Sequence, residues 1–112
     1  VLEDYSLDRF FGESVLFASE DDLQKDVGVI FGKEHDFTMD LAVLAIDLEV
    51  KFVGLTNDFD LEVERYTLKH GLISYERLVN TEKLPKNFQF FGLPLPIKEG
   101  DGSPVRAFAI IR

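Results

Sequence analysis

Apolar and polar positions follow two periods along this chain, and the periods assign the elements. Thr38–Leu48 has the helical one, with Leu41, Leu44, Ala45 and Leu48 at i, i+3, i+4 and i+7. Thr38 is placed to cap this helix, and Asp40 sits in its first turn, where a carboxylate suits the helix dipole. Val27–Phe31 (VGVIF) and Val50–Leu55 (VKFVGL) are short apolar runs, the pattern of buried strands. Strand, helix, strand over about 30 residues predicts a βαβ unit with parallel strands and a right-handed crossover.

A second helix is predicted from a cap at Asp60 to Lys69, with Leu61 and Leu68 on one face and Glu64 and Arg65 between them. Lys69 and His70 suit its C-terminus, and Gly71 is placed as a left-handed stop. Leu72–Tyr75 is the next strand, and Asn80 caps a short turn closed by Pro85. Upstream, Ser6–Phe11 has the pattern of one helical turn ended by Gly12. Ser14–Ala18 follows as a strand, and Ser19 caps a turn over Glu20–Lys25. In Phe88–Arg112 an apolar run to Ile97 meets the polar turn Lys98–Pro104, and a second apolar run starts at Val105. This predicts a long hairpin with a wide loop. Both faces of its second arm are largely apolar: Val105, Ala107, Ala109 and Ile111 against Arg106, Phe108, Ile110 and Arg112. The hairpin is therefore expected to be central in the sheet and covered on two sides.

The 112 residues make one domain, and eleven Phe with 46% hydrophobic residues supply a sizeable core. No apolar run is long enough for a transmembrane helix. The start, VLEDYSLDRF, has neither the basic nor the apolar region of a signal peptide. With no cysteine, disulfides, thiol catalysis and thiolate metal sites are excluded, and the cytoplasm is the expected location. The net charge of −9 is uneven: residues 1–60 carry 15 of the 21 acidic side chains and 4 of the 12 basic ones. An acidic first half argues against nucleic acid and anionic membrane as partners. It reads as a solvated face, with a basic partner as the alternative.

Candidate chemistry is sparse. His35 and His70 have no metal-ligand spacing, and neither a nucleophile elbow nor a phosphate loop is present. His70 reads as a helix-end charge and His35 as an exposed loop residue. Gly100-Asp101-Gly102 is turn chemistry. One pair of carboxylates stands out. Glu76 follows the strand Leu72–Tyr75, and Glu64 lies on the helix before it. Paired carboxylates bind a metal or share a proton. The plainer alternative is that both are solvated or paired with Arg65 and Arg77.

Three stretches resemble the cyclase family that includes bacterial kynurenine formamidase: KFVGL at 51–55, HGLISYERLVNTEKLP at 70–85 and FFGLPLPIKEGDGSPVRAFAII at 90–111. SLDRFFGESVLF at 6–17 resembles the segment that follows the family's metal motif. The resemblance implies a swivelling β/β/α-type mixed α/β domain and metal-dependent hydrolysis of amides or lactams with zinc or manganese. The family's main motif, His-x-Gly-Thr-His-x-Asp-x-Pro-x-His, does not occur in the chain and would precede Val1. Glu76 matches a family glutamate. Glu64 stands where the family has a histidine that serves metal binding and proton transfer. The resemblance thus implies Glu76 and Glu64 as metal ligands and Glu64 as the catalytic position, with carboxylate in place of imidazole.

A hydrolytic zinc site needs about three protein ligands and an open position for water. Residues 1–112 are therefore expected to be a single truncated cyclase-like domain, inactive alone and without its own cofactor. The alternatives are a piece of an active amidohydrolase, taking a small amide substrate only with a full site, and a non-enzymatic oligomerising or binding module. Loss of N-terminal strands would bare a sheet edge and apolar surface, so a homodimer through edges or Phe-rich faces is expected.

Overall fold

The computed structural model describes residues 11–92 and the backbone of 93–94 and 105–110. Its strands are β1 (Phe11–Leu16), β2 (Gly28–Phe31), β3 (Phe52–Leu55), β4 (Ile73–Tyr75), β5 (Asn87–Pro94) and β6 (Val105–Ile110). Helices α1 (Met39–Asp47) and α2 (Leu61–Lys69) lie between β2 and β3 and between β3 and β4. All six strands form one sheet, ordered β4-β3-β2-β1-β5-β6. Strands β1 to β4 run parallel, while β5 and β6 are antiparallel additions. The mixed α/β class and the βαβ unit are as expected from the sequence.

The caps account for where the helices begin. Thr38 Oγ accepts from the Leu41 N–H at 3.3 Å. Asp60 Oδ1 accepts from the N–H groups of Glu62 and Val63 at 3.0 and 3.4 Å. These bonds satisfy amide groups that have no partner within the helix. Gly71, with φ +74°, ends α2 in the left-handed conformation expected of it. No helix among the described residues is long and apolar enough to cross a membrane.

Both helices cover the same sheet face. Ala42 and Ala45 of α1 and Val63 of α2 join Val15, Val29, Phe31, Val53 and Leu55 in one core cluster. Ile30 and Phe52 point to the opposite face, as strand alternation requires. Every residue of β2 and β3 is buried, which is why their sequences are continuous apolar runs. Helix α2 differs from its simplest apolar pattern. It buries Val63 and Thr67 and leaves Leu61 and Leu68 exposed.

The opposite face is aromatic. Phe52, Tyr75 and Phe90 form a cluster with ring centroids 5.2 to 5.8 Å apart. Tyr75 donates its hydroxyl to the Gly92 carbonyl at 2.9 Å. Yet β4 and β5 are separated by β3, β2 and β1. Four strand spacings in a flat sheet span about 19 Å, beyond the reach of a phenol. The sheet is therefore strongly coiled, with its concave side lined by these rings. Two glycines admit them. A Cβ on Gly92 would lie 2.5 Å from Tyr75 Cζ, and one on Gly28 would strike the Phe52 ring.

Three expectations need correction. The hairpin is not central: β5 pairs with β1, and β6 ends the sheet order. The parallel strands of the two crossover units take the middle, and two apolar faces say nothing about which lateral edge is paired. Phe11 and Gly12 open β1 instead of closing a helical turn, because Phe11 pairs with Phe91 and stacks on it at 5.5 Å. His35 is half-buried, edge-on to Phe17 at 5.1 Å, and is not a free loop residue. The rest of the expected N-terminal turn, Ser6–Phe10, and the Lys98–Pro104 loop lie outside the described residues.

Asp22 ties the first loop to the start of β5. Its Oδ2 accepts from the N–H groups of Ala18 and Ser19 at 2.7 and 3.0 Å and from Lys86 Nζ at 2.8 Å. Lys86 Nζ also donates to the Leu16 carbonyl at 2.8 Å. Burial acts to raise the Asp22 pKa, but Lys86 and the two amides outweigh it and hold the carboxyl below its usual range. A depressed carboxyl stabilises the fold above its unfolded pKa, and the gain is lost as pH falls through the folded value. Asp22→Asn should therefore lose about 1–2 kcal/mol at pH 7 and match the parent near pH 2, as denaturant titration would register. Tyr75→Phe, which deletes only the hydroxyl, should cost a further about 1–2 kcal/mol in the same assay. An unchanged midpoint would mean that the phenol does not hold the coil.

Candidate functional site

Parallel strands place their carboxyl ends along one rim of the sheet, where loops carry ligand-binding groups in open α/β sheets. In this chain that rim gathers acids. Glu76 directly follows β4, and Asp58 lies three residues beyond β3. Glu64 comes from the first turn of α2, whose N-terminus faces the same rim. The two carboxylates singled out from the sequence, Glu64 and Glu76, are thus close enough to interact. Asp58 is a third acid there that sequence reasoning missed. Its signal was available: a carboxylate just after a buried parallel strand.

The electrostatics follow from this crowding. Burial raises the Glu76 pKa first, the Glu64 carboxylate raises it further, Arg77 opposes, and Asp58 adds a smaller upward push. Arg77 Nε donates to Asp58 Oδ1 at 3.3 Å. Both partners are largely exposed, so this ion pair contributes little to stability. Arg77 also takes φ +56°, a left-handed conformation that is costly for a side chain with Cβ. Asp26, Glu49 and Asn80 share this positive φ, so the conformation is not particular to the residue beside Glu76.

A cavity of about 310 Å³ opens farther along the rim, beside the carboxyl ends of β1 and β2. Phe17, Lys33, His35 and Thr81 are among its lining residues. Thr81 is buried, and its hydroxyl lies 3.0 Å from the Thr56 hydroxyl, which donates to the Phe31 carbonyl at 2.9 Å. His70 is at the other end of the molecule, its Nδ1 2.9 Å from the Tyr66 carbonyl and its ring against Tyr66. The helix-end position expected for it holds, and the structure does not bring His35 and His70 together.

Comparison with known proteins extends this picture. No family model matches the chain. A kynurenine formamidase of Bacillus cereus is 31% identical over 71 residues, which cover 63% of this chain and 34% of the formamidase. One from Bacillus mycoides is 30% identical over the same length. Among solved structures, a potential metal-dependent hydrolase with cyclase activity superposes with a TM-score of 0.72 at 19% identity. That match covers 93% of this chain and 67% of the other. The chain thus resembles kynurenine formamidases over part of its sequence and this hydrolase in fold.

A predicted metal-dependent hydrolase from Bacillus stearothermophilus gives a TM-score of 0.69 at 18% identity, covering 93% of this chain and 65% of that one. At such identities the structural likeness is one of fold. The chain spans about a third of the length of the curated relatives it matches. Metal dependence is a property stated of the solved neighbours. Among the described residues of this chain, no group of three or more His, Cys, Asp or Glu side chains is arranged to hold a metal ion. The donor set near Glu76 is all carboxylate and does not by itself fit a hydrolytic zinc ion, which favours imidazole or thiolate donors.

The sign of the Glu76 shift yields a test. A carboxyl whose folded pKa exceeds its unfolded value opposes folding when ionised. The penalty is absent below the unfolded pKa and grows as pH rises through the folded one. Glu76→Gln should melt above the parent at pH 7, and the difference should vanish at about pH 3, below the ordinary glutamate pKa. A melting temperature lowered at pH 7 would show that the Glu76 charge is held by a favourable contact instead.

Proposed function

We propose that this chain is the C-terminal part of a cyclase/formamidase-like metal-dependent hydrolase, and that it contributes Glu76 and Glu64 to a site it does not complete alone. The observation that carries the reading is the approach of these two carboxylates at the rim, on positions that the resemblance had already marked. Glu76 is the metal-ligating carboxylate in this reading, and Glu64 takes the position of a ligating, proton-transferring histidine. The substitution has a chemical consequence. A carboxylate in place of an imidazole changes both the donor atom and the acid–base chemistry of that position. Zinc or manganese, when bound, would supply Lewis-acid activation in an amide hydrolase. Both carboxylates offer it oxygen donors, with too few ligands for a closed hydrolytic site.

On this reading residues 1–112 form a single truncated cyclase-like domain that is inactive alone. The purified chain should retain far less than stoichiometric zinc on metal analysis and should release no formate from an aryl formamide. Stoichiometric zinc together with turnover would overturn the inactive-alone reading. A second reading, a piece of an active amidohydrolase, is favoured by the 34% span of the formamidase. Turnover on adding the preceding part of a formamidase would select it. Zinc titration tests the site assignment separately from activity. Glu64→His should bind zinc more tightly than the parent, and unchanged affinity would remove Glu64 from the site.

A further inference from the structure

The amino ends of the parallel strands, opposite the rim that carries Glu76, frame a second cavity of about 670 Å³. That lies within the roughly 300–1,000 Å³ of ordinary small-molecule sites. Its residues belong to the lead-ins of three strands: Asp26 before β2, residues 49–51 before β3 and residues 70–72 before β4. Val50 and Leu72 are buried and give it an apolar floor, with Ile46 of α1 beside them.

The charged groups at its mouth are of both signs and do not neutralise one another. The ion pairs among the described residues are Lys25–Glu49, Arg77–Asp58 and Lys86–Asp22. Asp26 and Lys51 therefore pair neither with each other nor with another described side chain. Lys51 is half-buried, and its ammonium rests against bare backbone: a Cβ on Gly12 would lie 2.8 Å from Lys51 Nζ. A half-buried ammonium without a carboxylate has lost water and gained no counter-ion. His70 adds an acceptor. Its Nδ1 faces the Tyr66 carbonyl at 2.9 Å, which can only accept, so Nδ1 carries the hydrogen and Nε2 of the neutral ring is open.

Backbone holds the mouth in place. Asp26 and Glu49 are both left-handed, with φ +63° and +59°, and the Asp26 N–H donates to the Glu49 carbonyl at 3.1 Å. The Lys51 N–H donates to the Val27 carbonyl at 3.0 Å. The two lead-ins are thus locked side by side, one carrying the free carboxylate and the other the free ammonium. Left-handed backbone at residues with a Cβ persists where the surroundings over-determine it.

We propose that this cavity binds a free α-amino acid with an apolar side chain. The ligand's carboxylate pairs with the Lys51 ammonium, and its ammonium with the Asp26 carboxylate and His70 Nε2. Its side chain lies on Ile46, Val50 and Leu72. A zwitterion satisfies an acid and a base that leave each other unpaired. An anion alone would meet Asp26 and Glu49, and a cation alone would meet Lys51. The site is separate from the carboxylate pair at the rim and does not rest on the reading of that pair.

Titration of the isotope-labelled chain with L-phenylalanine, followed by amide chemical shifts, tests this. Saturable shifts are expected at Asp26, Lys51 and Gly71 and not at Glu76 or Arg77. Phenethylamine lacks the carboxylate and hydrocinnamate lacks the ammonium, so each should bind at least tenfold more weakly. Lys51→Met should weaken phenylalanine binding at least tenfold and leave phenethylamine unchanged. Asp26→Asn, which keeps a residue that tolerates left-handed backbone, should weaken phenylalanine likewise and leave hydrocinnamate unchanged. The compound series uses the parent chain alone and so decides the matter even where a variant unfolds. Absence of saturable shifts at the cavity would overturn the proposal. So would equal binding of the three compounds, or phenylalanine binding indifferent to both substitutions.

Discussion

The hydroxyl of Tyr75 reaches the carbonyl of Gly92 across a sheet in which three strands separate their own. That contact requires the sheet to coil, and the coil requires bare backbone where rings pass over it. Gly92 and Gly28 supply it, the first under Tyr75 and the second under Phe52. Burial pushes the Tyr75 phenol up, so it remains a protonated donor. The concave aromatic face and the helix-covered face then sandwich β2 and β3, which are buried throughout.

The candidate site inherits its position from this constraint. Glu76 is the residue after Tyr75, so fixing the phenol under the coil fixes where the following carboxylate emerges. From there the acids at the rim act on one another. Burial first, and then the Glu64 carboxylate, push the Glu76 carboxyl above its usual range, and the left-handed Arg77 adjoins it.

Much of the architecture was legible in the sequence because its signals are local. Thr38 and Asp60 cap the helices that their positions announced, Gly71 ends the second, and VGVIF and VKFVGL are interior strands. The site was less so. Glu64 and Glu76 stood out as a carboxylate pair on a helix and at a strand end, and only the resemblance gave them roles. Asp58 passed unnoticed because its proximity to Glu76 depends on two loops meeting. His35 was read as exposed because its polar neighbours conceal the Phe17 ring it packs against.

Residue order alone determined helices α1 and α2 and the interior strands, that β2 and β3 are buried on both sides, and that the class is mixed α/β. Periodicity and capping act over a few residues, so they survive without knowledge of the fold. Tertiary structure decided that the closing hairpin attaches to β1 and leaves β6 at the end of the sheet. It also decided that α2 turns Val63 and Thr67 inward and Leu61 and Leu68 outward, and that Tyr75 answers Gly92. Each of these depends on which distant surface a segment meets. Two apolar faces or a pair of leucines fit several such meetings equally well, and only the packing of the whole chain selects one.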